Sequence, residues 1–328
     1  MPQRNSGRKS TLTKERMDLM NGIINIYKEK GYTSHDVVAK MRGILKIRKI
    51  GHTGTLDPDA EGVLPVCIGK ATKVVDLIVE KDKTYEAVLK LGIMTDTQDM
   101  TGNVLATAEV DFDLCRIEEA ARGFIGGYDQ LPPMYSAIKV NGKKLYELAR
   151  QGKEIERKTR RIEIQNIEIL DYDRDEDEVR LRVDCGKGTY IRTLLHDIGA
   201  VLGCGGAMKS LIRTRVGSFN LSDALRLEQV KEYLLNNSIQ EHIIPVDDMF
   251  LSYPGIIVDE KYNKRIYNGN IFNEEHLADR QSPQDMAALK TGIQGGCVDV
   301  RVYDSEGTFA GIYRYDDTGT FTARKMFL

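Results

Sequence analysis

The chain has 328 residues, of which 41% are hydrophobic and 29% are charged, and its formal net charge at pH 7 is −2. These values are ordinary for a folded protein of one or two domains, and they exclude fibrous and wholly disordered chains. No apolar run approaches the roughly 18 residues that a membrane helix needs, and the basic N-terminus lacks the apolar core of a signal peptide. We therefore expect a cytoplasmic protein that is not bound to a membrane.

Cysteine and histidine spacing argues against a metal site and a disulfide scaffold. The five cysteines are far apart and form no C-x-x-C pair, so we interpret them as small core residues, and the five histidines lack zinc-site spacing. The glycine-rich stretch 203–210 superficially suggests a phosphate-binding loop, but Met208 occupies a position where such a loop needs glycine. A G-x-S-x-G nucleophile motif is also missing from the sequence. These patterns predict neither a metal nor a cofactor.

The first predicted elements lead to an unusually long loop. Residues 1–18 are polar and without periodicity, which predicts a disordered lead-in. A short strand follows at 23–27, and then a helix that Ser34 can cap, because apolar residues recur at helical spacing after it. The stretch 51–62 is rich in turn formers and precedes an apolar strand at 63–68. Loops of this length are uncommon inside compact domains unless they are functional.

The middle of the chain mixes strands and helices. A strand opens at Tyr85, and residues 179–185 alternate apolar with polar side chains, as in a half-buried strand. Thr189 can cap the next helix, which Gly203 ends, and Arg192 lies in its first turn, off the apolar face. This mixed order favours an α+β fold built on a mainly antiparallel sheet.

A domain boundary is predicted between Pro245 and Pro254. After it the chain consists of short predicted strands, including a hairpin over 300–313. We therefore divide the ordered chain into a large domain at 19–250 and a small, mostly β domain at 251–328.

A local excess of positive charge lies between Lys139 and Arg161. This segment has nine basic residues against three acidic ones. A basic segment is usually a solvated surface, so charge alone does not establish that the chain binds nucleic acid.

The long loop contains Asp57 followed by Pro58. For an isolated Asp-Pro pair, the ordinary interpretation is a turn in which the aspartate hydrogen-bonds its own backbone. The surrounding residues, however, read Gly51-His52-Thr53-Gly54-x-Leu56-Asp57-Pro58-x-Ala60-x-Gly62. With its continuation to Lys73, this stretch resembles the signature of the TruB family of pseudouridine synthases, and a match of that length is highly specific.

Further stretches carry the same resemblance, which covers about residues 20–252. They are Lys83-Thr84-Tyr85, 132–139, 142–146, Gly188-Thr189-Tyr190-Ile191-Arg192-Thr193-Leu194 and 211–217.

The resemblance implies a pseudouridine synthase fold and an isomerase that converts the T-loop uridine of tRNA, position 55 in tRNA numbering, to pseudouridine. The reaction breaks the glycosidic bond, rotates the uracil and rejoins it through carbon without a change of oxidation state, so no cofactor is required. Asp57 matches the catalytic aspartate of the family. An ionised carboxylate can act as a nucleophile at the sugar or at the base, or remove a sugar proton, and the sequence leaves these three routes open.

Five other residues match positions at the family's substrate site. Tyr85 corresponds to an aromatic residue that stacks on the target uracil, and Leu211 to an apolar pocket wall. Arg192 corresponds to the arginine that pairs with the catalytic aspartate, and a cation that close lowers a carboxyl pKa by roughly 1–3 units. His52 corresponds to a residue in the RNA stack, and Tyr190 belongs to a matching stretch. Without the resemblance, Tyr85 and Leu211 would be core residues and Arg192 a surface arginine.

The resemblance also implies tRNA as the partner. The basic segment lies in an insertion, at about 129–160, that closes over the T-stem loop in the family, and four of its residues suit phosphate contacts. They are Lys139, Lys143, Lys144 and Arg150.

The C-terminal part resembles the family's small PUA-like RNA-binding domain, with residues 264–269 as its best marker. Residues 274–296 have no counterpart in that domain. The family implies that the protein acts as a monomer.

Two other functions remain open from the sequence. A tRNA-binding chaperone would fold its substrate without catalysis, although Asp57, Tyr85 and Arg192 are all intact. A relative of the archaeal and eukaryotic enzymes would act with a guide RNA. Modification of bare tRNA by the purified protein distinguishes the second of these from a free-standing enzyme.

Overall fold

The structure of the protein is a computed structural model that describes most of the chain. It comprises residues 20–136, 138–140, 142–149, 151–153, 155–292 and 296–328, with only the backbone given at Lys139, Val140, Lys143 and Lys144. The predicted lead-in at 1–18 and Arg150 lie outside the described residues.

The strands and helices are numbered here in chain order. The strands are β1 (Gly22–Lys28), β2 (Ile50–His52), β3 (Glu61–Ile68), β4 (Lys83–Leu91), β5 (Ile93–Thr95), β6 (Val104–Thr107), β7 (Gly126–Gln130), β8 (Lys139–Val140), β9 (Lys143–Lys144), β10 (Arg160–Asp173), β11 (Glu178–Cys185), β12 (Gly206–Val216), β13 (Phe219–Asn220), β14 (Gly255–Ile257), β15 (Phe272–Asn273), β16 (Cys297–Tyr303), β17 (Phe309–Asp316) and β18 (Thr320–Met326). The α-helices are α1 (Ser34–Leu45), α2 (Val75–Val79), α3 (Leu114–Arg122), α4 (Leu145–Ala149), α5 (Ile191–Leu202), α6 (Leu227–Leu235), α7 (Asn263–Tyr267) and α8 (Pro283–Gly292). Short 3₁₀ helices occur at Gly69–Val74, Leu221–Asp223, Ile239–His242, Val246–Phe250, Glu260–Tyr262 and Glu274–His276.

A large sheet forms the body of the molecule. Seven strands follow the order β1-β3-β12-β4-β11-β10-β7, with β2 added beside β3 and β13 beside β12. Neighbouring strands are antiparallel except β3 and β12, which pair in parallel over a short stretch where Arg213 lies opposite Gly62. The predicted α+β fold on a mainly antiparallel sheet is therefore confirmed.

Strand β11 shows how this sheet is buried, because its apolar and polar residues alternate along the sequence. Along β11, Val179, Leu181 and Val183 are fully buried, whereas the intervening arginines reach toward solvent. Apolar residues of β4, β10, β11 and β12 form one core with α3 and α5. A second core lies between α1, α6 and the strands β1 and β3.

Two helix caps differ from their predicted residues by one position. Helix α1 is capped by Thr33, which accepts from the Asp36 amide at 3.1 Å, and not by Ser34. Helix α5 has Tyr190 at its N-cap, while the Thr189 hydroxyl donates to the Gly186 carbonyl at 3.1 Å. In both cases the N-cap position is set by the backbone angles, and the sequence pattern does not show which of two adjacent residues occupies it.

A second, smaller sheet follows the predicted boundary. It has the order β14-β16-β17-β18-β15 and begins at Gly255, and the predicted hairpin over 300–313 is formed by β16 and β17. The segment 274–296, which had no counterpart in the family pattern, contains α8, and Leu289 of that helix packs into the core of the small sheet.

The two sheets share a layer of buried side chains. Val246 and Phe250 from the end of the large domain pack with Ile312 and Phe327 from the small sheet. Phe250 lies 6.0 Å from Phe327 between ring centroids. The domain division at 250 and 251, which stays a prediction, therefore falls inside a shared apolar cluster.

The cysteines only partly follow their predicted role. All five are free thiols; Cys67 and Cys185 are buried, whereas Cys115 and Cys297 are exposed. Among the described helices, none combines the length and the apolar character required to cross a bilayer.

Candidate active site

The loop that carries Asp57 connects β2 to β3 and is held by buried polar groups. Ser34, which does not cap its helix, accepts a hydrogen bond from the Leu56 amide at 2.9 Å. The Lys28 ammonium is fully buried and donates to the carbonyls of Pro58 at 3.0 Å and Ala60 at 2.6 Å. Because these partners are backbone atoms on both sides of Asp57, they fix the path of the loop.

Lys28 was not recognised as a site residue from the sequence. Burial lowers its pKa to about 8, while the negative charges of Glu61, Asp57 and Asp59 oppose that shift. The ammonium therefore remains mostly protonated near neutral pH and keeps its role as a donor. In the sequence, Lys28 appeared only at the end of the first strand.

The structure brings Asp57 and Arg192 together as an ion pair. Arg192 is the second residue of α5, and its Nε lies 2.9 Å from Oδ2 of Asp57. Its side chain is only 5% exposed, so the interpretation as a surface arginine is wrong. The carboxylate itself is 41% exposed, and a substrate can therefore reach it.

The remaining donors of Arg192 join two further segments to the site. Nη1 lies 3.5 Å from Oδ2 of Asp99 and donates to the Thr97 carbonyl at 3.1 Å, both in the connection between β5 and β6. Nη2 donates to the Tyr135 carbonyl, in the insertion, at 2.8 Å. Asp99 was missed in the sequence because it lies in a polar turn whose residues look like ordinary turn formers.

Burial and charge act in opposite directions on Asp57. Its pKa is raised above the usual aspartate value because burial disfavours the charged form, and this outweighs the lowering by Arg192. The negative charge of Asp99 raises the pKa further. Arg192 thus lowers the pKa of Asp57, as expected of a paired cation, but burial has the larger effect.

Two apolar walls lie next to the carboxylate. Tyr85 is the third residue of β4 and Leu211 lies on the neighbouring strand β12, and each is 7% exposed. Both belong to one cluster with Leu56, which immediately precedes Asp57. Burial raises the pKa of Tyr85, so its phenol is neutral at physiological pH.

A second buried arginine, Arg213, lies behind Tyr85. Its Nε donates to the Val63 carbonyl at 2.7 Å and Nη2 to the Gly54 carbonyl at 3.3 Å. Arg213 is directly opposite Tyr85 in the pairing of β12 with β4, and its positive charge acts against the rise in the Tyr85 pKa. In the sequence, Arg213 was noted only as one position of the stretch 211–217, which resembles the family pattern.

His52 lies at the entrance of the loop. Its ring contacts that of His35 edge to face, with 5.3 Å between the centroids, and its Nδ1 accepts from the Gly54 amide at 3.3 Å. Burial lowers the pKa of His52, and the nearby His35 and Arg213 charges act in the same direction. A neutral, half-buried ring with one face near solvent results.

The backbone of Tyr190 is held by the side-chain amide of Gln130. Gln130 lies at the end of β7 and is 1% exposed. The Tyr190 amide donates to Oε1 of Gln130 at 2.8 Å, and Nε2 of Gln130 donates to the Tyr190 carbonyl at 3.0 Å. Burial raises the pKa of the Tyr190 phenol, which lies near Ser136 and Arg160. This clamp fixes the start of α5 and hence Arg192.

The predicted phosphate-binding residues lie in the insertion. Lys139, Lys143 and Lys144 belong to the small hairpin of β8 and β9, and the positions of their side chains lie outside the described part of the chain, as does Arg150. Nearby, Arg157 donates to the Pro132 carbonyl at 2.9 Å.

No metal site accompanies these groups: within the described residues, no cluster of three or more histidine, cysteine, aspartate or glutamate side chains has the arrangement of a metal centre. The site therefore offers a carboxylate, two guanidinium groups, a buried ammonium and two phenols.

Family profiles match most of the large domain. Residues 42–191 match the N-terminal domain of the TruB family of pseudouridylate synthases, and residues 192–251 match the C-terminal domain of tRNA pseudouridylate synthase B.

Curated relatives match over more of the chain. The tRNA pseudouridine synthase B of Lachnoclostridium phytofermentans is 54% identical over 94% of this chain and all of its own length. The enzyme of the same name from Alkaliphilus oremlandii is 48% identical, covering 79% of this chain and 85% of its own. That of Staphylococcus aureus is 47% identical, covering 81% and 90%.

Solved structures agree on the fold. A Cbf5–Nop10–Gar1 complex matches with a TM-score of 0.66 and 26% identity, covering 94% of this chain and 85% of the other. An H/ACA ribonucleoprotein bound to a substrate RNA containing 2′-deoxyuridine matches with a TM-score of 0.67 and 23% identity, covering 96% and 88%.

Proposed function

Because this chain belongs to the TruB family of pseudouridylate synthases, we propose that it isomerises uridine 55 in the tRNA T-loop, with Asp57 as the catalytic carboxylate. The broader activity follows from the family: the protein is a tRNA pseudouridine synthase, an isomerase. The position of the uridine and the roles of individual residues are the proposed part.

The observation that carries the proposal is the ion pair of Asp57 and Arg192 beside an apolar wall. An accessible carboxylate held at 2.9 Å by a buried guanidinium is fixed in direction, as a nucleophile or base must be. Tyr85 and Leu211 provide the flat, apolar surface that a uracil ring requires.

The reaction proceeds on a uridine that has left the stack of the T-loop. Extrusion costs a few kcal/mol, which contacts to the flipped base and the RNA backbone must offset. Asp57 then attacks the sugar or the base or removes a sugar proton, and the glycosidic bond breaks. The uracil rotates against Tyr85 and rejoins the ribose through C5, while Arg192 keeps the carboxylate in place.

Recognition of the RNA is assigned to the outer parts of the site. His52 and Tyr190 border the extruded nucleotides, and the lysines of the insertion neutralise phosphates of the T-stem loop. The small C-terminal domain adds a PUA-like RNA-binding surface. We expect the protein to work as a monomer in the cytoplasm.

A chaperone that binds tRNA without catalysis is not favoured, because the relatives at 46–54% identity are all tRNA pseudouridine synthases. A guide-RNA mechanism has less support, because the Cbf5 complex shares only 26% of its residues with this chain.

The decisive experiment uses unmodified tRNA transcript labelled with tritium at C5 of uridine. Wild-type protein alone is expected to release tritium and to leave pseudouridine at position 55. Asp57→Ala should abolish the release, because no other group replaces the carboxylate. A transcript with cytidine at position 55 is the matched substrate control and should give no release.

A second variant separates catalysis from binding. Asp57→Asn is nearly isosteric and removes only the charge, so it should bind tRNA with the wild-type Kd in a filter assay while releasing no tritium. Turnover by Asp57→Ala would refute the mechanism, and loss of binding in Asp57→Asn would show that Asp57 is structural. Pseudouridine at another position would refute the site assignment alone.

A further inference from the structure

We infer that Gln98 is a positioning residue of this reaction, which fastens the turn at 95–99 to helix α5 so that Thr97 and Asp99 hold Arg192 in place. The inference rests on the proposed function, in which Arg192 orients the carboxylate of Asp57. Gln98 lies outside the stretches of sequence that carry the family resemblance.

The backbone of Gln98 has a conformation that residues other than glycine rarely adopt. Its φ is +63°, in the left-handed region. Its amide donates to the Thr95 carbonyl at 3.3 Å, and its carbonyl accepts from the Met208 amide, on β12, at 3.0 Å. Such a conformation costs free energy and persists only where the surrounding structure holds it. The shape of this turn is therefore imposed by its contacts.

The two residues that flank Gln98 contact the same nitrogen of Arg192. Nη1 of Arg192 donates to the Thr97 carbonyl at 3.1 Å and lies 3.5 Å from Oδ2 of Asp99. The Thr97 hydroxyl also donates to Oδ1 of Asp99 at 2.7 Å, which fixes that carboxylate within the turn. Because Nε of the same guanidinium group lies 2.9 Å from Asp57, a shift of the turn would move the partner of the proposed catalytic group.

The side chain of Gln98 attaches the turn to the helix that carries Arg192. Its Oε1 accepts a hydrogen bond from the Thr193 hydroxyl at 2.8 Å. Thr193 follows Arg192 in α5 and is 2% exposed, so its hydroxyl needs a partner within the protein. The turn thus meets α5 at two successive residues. Any residue can make the backbone bond to Met208, whereas the bond to Thr193 requires the side chain of Gln98.

Gln98→Gly tests this role, because glycine adopts the left-handed backbone without strain and only the side chain is lost. We expect a single-turnover rate constant about 10 times lower at saturating enzyme, with the tRNA Kd within about threefold of wild type, since the change disturbs orientation and not RNA contacts. Asp177→Gly is the matched control. Asp177 also has a positive φ, +49°, and lies between β10 and β11. This variant should leave both quantities unchanged.

Thr193 offers a conservative pair of variants. Thr193→Val keeps the shape of the side chain but removes the donor, so it should slow the reaction about 10-fold, as Gln98→Gly does. Thr193→Ser keeps the hydroxyl and should retain a rate within about threefold of wild type. A role in packing alone predicts the opposite order, because serine loses a buried methyl group and valine does not.

A double-mutant cycle joins the two residues. Thr193→Val should slow the Gln98→Gly protein by less than about twofold, because the acceptor of its hydroxyl is already gone. Urea denaturation of each variant measures the fraction of folded protein. Full additivity of the two effects would overturn the inference, as would a wild-type rate in Gln98→Gly or a slower reaction in Thr193→Ser than in Thr193→Val. A rate loss that the unfolded fraction fully explains would also overturn it.

The test separates this inference from the proposed function. If the wild-type protein fails to form pseudouridine at position 55, the proposed function fails. If the wild type is active and Gln98→Gly is equally active, only the role of Gln98 is refuted.

Discussion

The catalytic loop, residues 53–60, and the insertion at 129–160 both border the ion pair of Asp57 and Arg192, yet they are held in different ways. The backbone of the loop is bound by Ser34, Lys28 and Arg213, all of which are buried. The insertion contributes two-residue strands, a five-residue helix and a carbonyl that Arg192 contacts.

This difference separates chemistry from recognition. The loop presents a carboxylate in a geometry that exists before any substrate arrives, which is what catalysis by orientation requires. The insertion carries the local excess of basic residues, which suits contacts to RNA phosphates. Changes in the loop should therefore affect rate or stability, and changes in the insertion should affect binding.

The largest expected effect comes from Arg192→Met. Arg192 fixes the direction of the Asp57 carboxylate, and a misplacement of about 1 Å can slow a reaction by roughly 100-fold, so the single-turnover rate should fall by at least that factor while the tRNA Kd changes little. Arg122→Met, at an exposed arginine 3.4 Å from Glu118, is the control and should be fully active. A large loss of tRNA affinity in Arg192→Met would contradict the separation.

Lys28→Met should weaken the fold of the loop. Three carbonyls, those of Glu29, Pro58 and Ala60, lose a charged donor, and the free energy of unfolding should fall by about 3 kcal/mol. Urea denaturation measures the change. Lys30→Met, two residues away and exposed, should stay within about 0.5 kcal/mol of wild type; an equal effect of both variants would disprove the anchoring role.

Replacing Lys139, Lys143 and Lys144 together by glutamine tests the insertion. The tRNA affinity should fall about 10-fold, and the slope of log K against log salt should become shallower by about 2 to 3, because each lost phosphate contact removes roughly 0.7–0.9. The rate at saturating enzyme should not change.

The control for the insertion removes the same total charge elsewhere, at the exposed residues Lys40, Arg122 and Lys231. If this control flattens the salt dependence equally, the effect is one of net charge and the insertion is not the binding surface.

The smallest effect is a shift of the acid limb of the pH–rate profile. The proposed reaction requires ionised Asp57, and the pKa of this residue is raised above the ordinary value of 3.8. The rate should therefore start to fall, on acidification, at a higher pH than for an ordinary aspartate. Since Arg192 lowers this pKa, Arg192→Met should move the limb to still higher pH. A limb at or below pH 3.8 would refute the burial effect.

The elements of the fold that could be predicted were those whose apolar residues recur at a regular spacing in the sequence. Alternation along β11 and helical spacing in α5 follow from burial of one face, and the hairpin of β16 and β17 follows from its turn residues. The predicted caps of α1 and α5 were each wrong by one residue, because the backbone angles that fix where a helix begins are not visible in the sequence.

The site was predictable where family positions marked it and not where backbone atoms are the partners. Asp57 and Arg192 were expected to meet, and they do. Arg213 reaches the Val63 carbonyl across 150 positions of sequence. Any residue can supply a backbone carbonyl, so no pattern of side chains in the sequence predicts such a contact. The bonds of Lys28 and Gln130 to backbone carbonyls could not be predicted for the same reason.

The carbonyl contacts around the loop mean that its shape does not depend on the residue at position 57. Lys28, Ser34 and Arg213 hydrogen-bond to the main chain on both sides of Asp57. None of these bonds involves the Asp57 side chain. We therefore expect a conservative change at position 57 to leave the backbone of the loop in place. The proposed chemistry and the shape of the loop thus depend on different atoms, the side chain of Asp57 and the main chain around it.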